Sequence, residues 1–276
     1  MDRMGIATWA IDGESLSSKL RILANIGYDA ACVLGNFLDE IPPEDLAAVE
    51  RILHERDMVI TVHSNFGRPK GEVNEKACLA QAERILEWHA RTGKVVCLSY
   101  DAPWKEITKG VFRIDPTSIL GVFEKVLDLT RGSGIRVVLE DCPLDDDEAR
   151  QFVGWTEKYP DWGILVDLGH MNMRLREPKH DVQPLKPGAV EEFLRGIPAP
   201  ILELHVHSND GSEDDHLPPY MGNTDLASAA HTLKQIGFSG VSTIEFGRAW
   251  CNGDQSEALV AAPRSLEYWK GLLKSG

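Results

Sequence analysis

Short apolar runs alternate with amphipathic stretches along the whole chain. The apolar runs are rich in valine and isoleucine and are bounded by Gly, Asp, Ser or Pro, which is typical of strands in a parallel sheet covered by helices. The predicted strands are Met4–Trp9, Tyr28–Gly35, Met58–Ser64, Lys94–Tyr100, Ile135–Asp141, Trp162–Leu168, Ile201–His207 and Val241–Phe246.

The stretches between these runs carry apolar residues at helical spacing. The predicted helices are Leu16–Ile26, Pro43–Arg56, Val73–Arg91, Pro116–Arg131, Asp147–Tyr159, Gly188–Gly196, Asp225–Ile236 and Gln255–Lys274. Eight strands that alternate with helices in 276 residues predict an α/β fold. The count favours one (β/α)8 TIM barrel domain over residues 1–276, and a doubly wound open sheet is the alternative.

Titratable side chains stand at the ends of five predicted strands. They are His63, Glu140, Asp167, His205, His207 and Glu245. Because a barrel brings the carboxyl ends of its strands to one mouth, we expect these residues to form a single site. Carboxylates packed closely together repel each other unless a cation neutralises them. The mixture of carboxylates and imidazoles suits Mn, Co, Zn, Fe or Mg, so the sequence predicts a divalent-metal site.

The loop after the seventh predicted strand adds further candidate ligands. Asp214 and His216 lie in this polar, Gly-containing loop, and His170 follows Asp167 by three residues. His205 and His207 share one face of their strand because residues two apart point to the same side. The loop can therefore fold Asp214 and His216 back over the two histidines.

The composition restricts the kind of partner. Lys plus Arg number 29 and Asp plus Glu number 43, a net charge of −14, which disfavours nucleic-acid binding because phosphate contacts need clustered cations. No apolar run approaches the ~20 residues that span a bilayer, and the start of the chain lacks a signal-peptide pattern. Five scattered cysteines without a CxxC motif predict reduced thiols and a cytoplasmic protein.

Four strings resemble the xylose-isomerase-like barrel superfamily. They are Glu-x-Cys-Pro at 140–143, Asp-Leu-Gly-His at 167–170, His-x-His-x-Asn-Asp-Gly-x-x-Asp-x-His-Leu-Pro-Pro at 205–219 and Ile-Glu-Phe at 244–246. This superfamily includes sugar and sugar-phosphate isomerases and epimerases as well as DNA repair nucleases of the endonuclease IV type. The resemblance runs through nearly the whole chain in strand order.

The resemblance implies a divalent-metal-dependent isomerase or epimerase of a sugar, sugar phosphate or related polyol or keto acid. Glu140, Asp167, His205 and Glu245 would bind the metal, and Glu140 and Glu245 would transfer the proton through a metal-stabilised enediolate. Residues expected at a second metal or at the substrate are His63, His170, Asp214 and His216. Further expected substrate contacts are His207, Arg248, whose guanidinium suits an anionic group, and Trp9, whose ring suits a sugar face.

Two other functions stay open at this point. A phosphodiesterase of the endonuclease IV type would use a cluster of metal ions. Its branch carries a histidine after the fourth strand, where this chain has Asp101. A metal-stabilised binding protein without turnover is the third interpretation. The expected ligand is a small carbohydrate, and homo-oligomerisation is compatible with the resemblance. The basic segment Met173–Pro187 is expected to be a solvated loop, and a loop that covers the site is the alternative.

Overall fold

Hydrogen bonding between the apolar runs produces a sheet of eight parallel strands. The structure is a computed structural model that describes residues 3–64, 74–101, 104–108, 111–114, 116–140, 153–176 and 185–275. In chain order the strands are β1 Arg3–Ile6, β2 Ala30–Leu34, β3 Val59–Ser64, β4 Val95–Tyr100, β5 Trp104–Thr108, β6 Val111–Ile114, β7 Arg136–Glu140, β8 Trp162–Asp167, β9 Ile201–Val206 and β10 Val241–Ile244.

The eight-stranded sheet closes into a barrel. Its strand order is β1-β10-β9-β8-β7-β4-β3-β2, and neighbouring strands are parallel throughout. The two ends of this order meet where the Thr8 N–H donates to the Cys32 carbonyl at 2.9 Å and the Asp29 N–H donates to the Met4 carbonyl at 3.1 Å. The (β/α)8 TIM barrel predicted from the sequence is therefore confirmed.

Helices separate most of the barrel strands along the chain. They are α1 Leu16–Ile26, α2 Phe37–Glu40, α3 Pro43–Glu55, α4 Glu75–Thr92, α5 Pro116–Thr130, α6 153–158, α7 Leu168–Leu175, α8 Ala189–Arg195, α9 Leu226–Gln235 and α10 Gln255–Ser275. Side-chain caps fix several starts: Ser15 Oγ accepts from the Ser18 N–H, and Asp225 Oδ1 accepts from the Ser228 N–H. Gly27 ends α1 at φ +107°, a conformation that glycine adopts without strain.

Apolar side chains pack on both faces of the barrel wall. The main core lies between strands and helices and includes the fully buried Leu53, Ile85 and Trp269. Inside the barrel are two small clusters, one of Ala30, Val59 and Val241 and one of Cys97, Val138 and Leu165. These clusters fill the middle of the barrel, so a ligand inside the barrel would have to be bound at one of its ends.

Several sequence expectations need correction. β1 ends at Ile6 and not at Trp9, because the chain turns inward over the barrel after the bridge between Ala7 and Cys32. The segment Met173–Pro187 is not a loop from its start, since α7 continues to Leu175 on a buried face that includes Met171 and Asn172. The helix predicted at Asp147–Tyr159 is observed at 153–158, and its earlier part lies outside the described residues.

Candidate metal centre

Four neighbouring strands end in a group of acidic and imidazole side chains, here called the inner centre. Glu140 is the last residue of β7, Asp167 is the last residue of β8, His205 lies in β9, and Glu245 follows β10. The His205 Nδ1 atom lies 2.7 Å from Glu245 Oε2, 3.7 Å from Glu140 Oε1 and 4.0 Å from Asp167 Oδ2. All four side chains are buried. The strand ends therefore aim three carboxylates at one imidazole nitrogen.

Hydrogen bonds do not satisfy this inner centre. The His205 Nδ1 atom and the Glu140 Oε2 atom are buried without a hydrogen-bond partner among the described residues, although the first lies 2.7 Å from a carboxylate oxygen. Buried polar groups are normally paired, so orphaned atoms of this kind need an explanation. A divalent cation fits the donor set, because one imidazole and three carboxylates would all direct lone pairs at it.

Charge within the inner centre is distributed unevenly in the metal-free protein. Burial raises the pKa of Glu140 to about 8, despite the opposing effect of His205. Burial also acts to raise the pKa of Glu245, but the charge of the nearby His205 outweighs it and lowers that pKa to about 2. Burial acts to lower the pKa of His205, while Glu245 and Glu140 raise it well above its usual range. The pKa values of the two glutamates are thus shifted in opposite directions.

A second group, the outer cluster of His170, Asp214 and His216, lies beside the inner centre. Asp214 Oδ2 is 3.0 Å from both the His170 Nε2 atom and the His216 Nε2 atom. The loop folds back because Ser208 and Leu217 exchange two backbone hydrogen bonds of 2.9 and 2.7 Å. The structure therefore brings together the three residues that the sequence placed on two separate segments.

His207 and Asp167 connect the inner centre with the outer cluster. The His207 Nε2 atom lies 2.8 Å from Asp167 Oδ1 and 3.8 Å from Asp214 Oδ1, and the His207 ring stacks on His216 at a centroid distance of 4.0 Å. Asp167 Oδ1 also accepts from the His170 N–H at 2.8 Å, which caps α7. His207 is fully buried. Its expected role in substrate binding stays a prediction.

A network of asparagines holds the loop that carries Asp214 and His216. Asn172 Nδ2 donates to Asn209 Oδ1 at 2.8 Å and to Asn223 Oδ1 at 2.9 Å, and the buried Arg176 donates to Asn172. Gly211 has φ +90°, and a Cβ there would lie 2.2 Å from the Arg176 side chain, so a glycine is required. The sequence analysis missed this network, because its members are far apart in the chain.

His63 lies at the opposite side of the inner centre. Its Nε2 atom is 3.6 Å from Glu140 Oε2 and 3.2 Å from Asp101 Oδ1, and its Nδ1 atom is 3.1 Å from Ser99 Oγ. Burial acts to lower the pKa of His63, but Asp101 and Glu140 outweigh it and raise that pKa to about 9. Asp101, which directly follows β4, thus lies beside His63. The Trp9 ring lies 6.2 Å from the His63 ring, beside the site.

Arg248 occupies the rim of the barrel mouth. Its guanidinium pairs with the Asp12 carboxylate, and both side chains are partly exposed. Asp12 is tied in turn to Gln255 by two hydrogen bonds, one through its N–H at 2.7 Å and one through its carbonyl at 3.2 Å. A substrate anion would have to compete with Asp12 for this arginine.

In the described part of the chain, no helix combines the length and apolar character needed to cross a membrane.

Comparisons with known proteins agree with this geometry. The sequence profile of the xylose isomerase-like TIM barrel family matches residues 20–270. The uncharacterized protein MJ1311 of Methanocaldococcus jannaschii is 22% identical over 257 residues, which are 88% of this chain and 83% of that protein.

Solved structures show the same fold at low sequence identity. The D-psicose 3-epimerase of Clostridium cellulolyticum H10, solved with D-tagatose, is 17% identical with a TM-score of 0.67, covering 98% of this chain and 99% of that one. The 3-keto-D-glucoside 4-epimerase YcjR of E. coli is 21% identical with a TM-score of 0.65, covering 98% of this chain and 100% of that one.

Proposed function

Because the chain belongs to the xylose isomerase-like TIM barrel family, we propose that it is a divalent-metal-dependent isomerase or epimerase of a small carbohydrate. The observation that carries the proposal is the position of His205 Nδ1 among the carboxylates of Glu140, Asp167 and Glu245. A divalent ion held by these four side chains would bind two adjacent oxygens of a sugar.

Glu140 and Glu245 are the proposed catalytic pair. Glu140 ends β7 and Glu245 follows β10, and these are the two outer strands in the run β7-β8-β9-β10, so the two glutamates flank Asp167 and His205. Isomerisation removes a proton from a carbon next to a carbonyl and returns it elsewhere. A carboxylate oxygen of one glutamate takes this proton, and the carboxyl group of the other supplies one. A divalent ion bound here would offset the negative charge that develops on the substrate oxygens.

The surroundings of the inner centre support a carbohydrate ligand. Trp9 offers an aromatic face beside His63, and such faces pack against the C–H groups of a sugar. His63, His170 and His216 are half-buried at the mouth, where a hydroxyl group of a sugar would have to replace one of their present hydrogen-bond partners. The names of two structural neighbours, a D-psicose 3-epimerase and a 3-keto-D-glucoside 4-epimerase, point to ketoses and keto-glycosides as the first substrates to try.

The experiment that tests the proposal follows the transferred proton. The purified protein, supplied with Mn²⁺, is incubated in D₂O with D-fructose, D-psicose, D-tagatose and a 3-keto-glucoside, each followed by ¹H NMR. We expect at least one substrate to lose a C–H signal next to its carbonyl and to form an epimer or isomer, and the Glu140→Gln variant to do neither. A folded, metal-loaded protein that exchanges no such proton in any of these substrates, or in their phosphates, would overturn the proposal.

The outer cluster favours a second candidate function, phosphodiester hydrolysis of the endonuclease IV type. Its observation is the pair of 3.0 Å contacts that Asp214 makes with His170 and His216, which suit a second cation. The net charge of −14 opposes binding to a DNA backbone. Cleavage of a duplex with one abasic site by the Zn²⁺-loaded protein, lost in the Asp214→Asn variant, would favour the nuclease over the isomerase.

A further inference from the structure

Glu203 is a buried acidic residue that the proposed reaction does not use. It lies in β9 two residues before His205, inside the barrel and below the inner centre, and it is fully buried. Thr243 Oγ1 donates to its Oε1 atom at 3.4 Å, and the Cys97 thiol lies against the same carboxylate. Its Oε2 atom has no hydrogen-bond partner among the described residues. A carboxylate held so weakly destabilises the fold, so stability does not explain its presence.

The lower edge of the His205 ring faces the same interior. The ring presents Nδ1 to the three carboxylates above, while Nε2 is buried without a hydrogen-bond partner in the described part of the structure. One ligand-type atom from each of Cys32, Glu203 and His205 lies within 4.8 Å of the other two. The Cys32 thiol contacts the imidazole, but sulfur is a weak acceptor. An unpartnered nitrogen and an unpartnered carboxylate oxygen therefore share one small buried space.

We infer that Glu203 is a positioning residue for His205. Its carboxylate accepts the Nε2–H of His205 through one bridging water, so that the Nδ1 lone pair would face a bound metal ion. Histidines that bind metals usually donate their other N–H to a carboxylate or carbonyl, and this partner fixes the tautomer and the orientation of the ring. The inference rests on the proposed metal centre, but it concerns residues that never touch the substrate.

The first test compares metal affinity with stability, because a positioning role and a structural role predict opposite signs for the change in stability. The Glu203→Leu and Glu203→Gln variants are titrated with Zn²⁺ against a chromophoric chelator, and Tm is measured for the metal-free proteins. We expect Glu203→Leu to weaken Zn²⁺ affinity by ~10–100-fold. Glu203→Gln should weaken it less, because the amide oxygen still accepts a hydrogen bond. The metal-free Tm should stay the same or rise, since a buried, poorly satisfied carboxylate is lost.

The Val138→Ala variant is the matched control. Val138 is fully buried in the apolar cluster inside the barrel, so its truncation leaves a cavity at a similar depth without changing the polar groups. We expect this variant to lower Tm and to bind Zn²⁺ with nearly wild-type affinity. If Glu203→Leu behaves in the same way, or if it lowers Tm and affinity together, Glu203 is a structural residue and the inference is wrong.

The second test observes the ring directly. In the Zn²⁺-loaded protein labelled with ¹⁵N-histidine, we expect the Nε2–H proton of His205, assigned by its loss in His205→Asn, to resonate far downfield and to exchange slowly with solvent. Glu203→Leu should move it upfield. An unchanged resonance together with unchanged Zn²⁺ affinity would overturn this inference alone. A wild-type protein that binds no metal would overturn the proposed function as well.

Discussion

The inner centre and the outer cluster use the same residue types and differ in how those residues are satisfied. In the outer cluster, Asp214 already bonds to His170 and His216 at 3.0 Å, so its carboxylate has hydrogen-bond partners without a cation. In the inner centre, His205 Nδ1 and Glu140 Oε2 have no hydrogen bond in the described structure. The comparison teaches that ligand-type residues alone do not identify a metal site. Buried carboxylate and imidazole atoms that lack hydrogen bonds and converge on one point favour the inner centre as the metal site, because a cation would satisfy them together.

The largest expected effect comes from the two glutamates of the inner centre. Glu140→Gln and Glu245→Gln should each reduce kcat by about 10²–10⁴-fold. Each glutamine keeps the shape of the glutamate side chain but cannot transfer a proton as the carboxylate does. Circular dichroism should show an intact barrel for both variants. Near-wild-type kcat in either one would remove that residue from the catalytic pair.

Substitution of His205 and of its neighbour His207 should distinguish a metal ligand from a residue that supports a ligand. His205→Ala should weaken Mn²⁺ affinity more than the ~10–100-fold that follows loss of a group supporting a ligand. His207→Ala should fall within that range, because its Nε2 atom lies 2.8 Å from Asp167 and holds that carboxylate. Isothermal titration of the metal-free proteins measures both. The reverse ranking would make His207 the ligand and would contradict the assignment of the inner centre.

The outer cluster should mainly affect how the stability of the fold depends on pH. Burial acts to raise the pKa of Asp214, but hydrogen bonds with His170 and His216 hold it well below its usual range. Burial acts to lower the pKa of His216, but Asp214 raises it to about 9. The stabilisation from Asp214 is present above its unfolded pKa of about 3.9 and is lost as pH falls through the folded value. That from His216 is complete below about pH 6.5 and is lost as pH rises through about 9.

The Asp214→Asn variant of the metal-free protein tests the pH range in which Asp214 and His216 stabilise the fold. The difference in Tm between the wild type and this variant should be largest between about pH 4 and pH 6.5 and should shrink above about pH 9. Thermal unfolding followed at several pH values measures it. A difference that does not vary with pH would show that the outer cluster is not held by charge.

Substitution of Arg248 should have the smallest effect on the stability of the fold. Its pair with Asp12 is partly exposed, so Arg248→Gln should change stability by only ~0.2–1 kcal/mol. If the substrate is anionic, the same change should raise KM about tenfold or more, from the ~1.5–3 kcal/mol of a hydrogen bond to a charged group. Asp12→Asn, which frees Arg248, is the control and should lower KM. Equal KM values for all three proteins would exclude Arg248 from the binding site.

The sequence predicted the barrel and most of the inner centre for a physical reason. A titratable residue directly after an apolar run marks a strand end, and parallel strands bring these ends to one edge, so Glu140, Asp167 and Glu245 were recognisable. The hairpin of β5 and β6 was missed because Trp104–Ile114 does not keep the strict apolar and polar alternation that marks a strand.

The other omissions depend on long-range contacts. Glu203 looked like an ordinary strand residue, because the sequence does not show whether a lone acid in an apolar run faces solvent or the barrel interior. The Asn172, Asn209 and Asn223 network joins α7 to a loop, and nothing local in the chain marks its members as partners. Which group of ligands needs a cation also depends on angles and burial, which only the folded structure supplies.

Metal content is the most direct test of the inner centre. Elemental analysis of the wild-type protein, purified without added metal and then after incubation with Mn²⁺, Co²⁺, Mg²⁺ or Zn²⁺, gives the number of ions per chain. The account predicts about one ion per chain, which is lost in His205→Ala and retained in Asp214→Asn. A protein that binds no ion under any of these conditions, or that keeps its ion in His205→Ala, would contradict it.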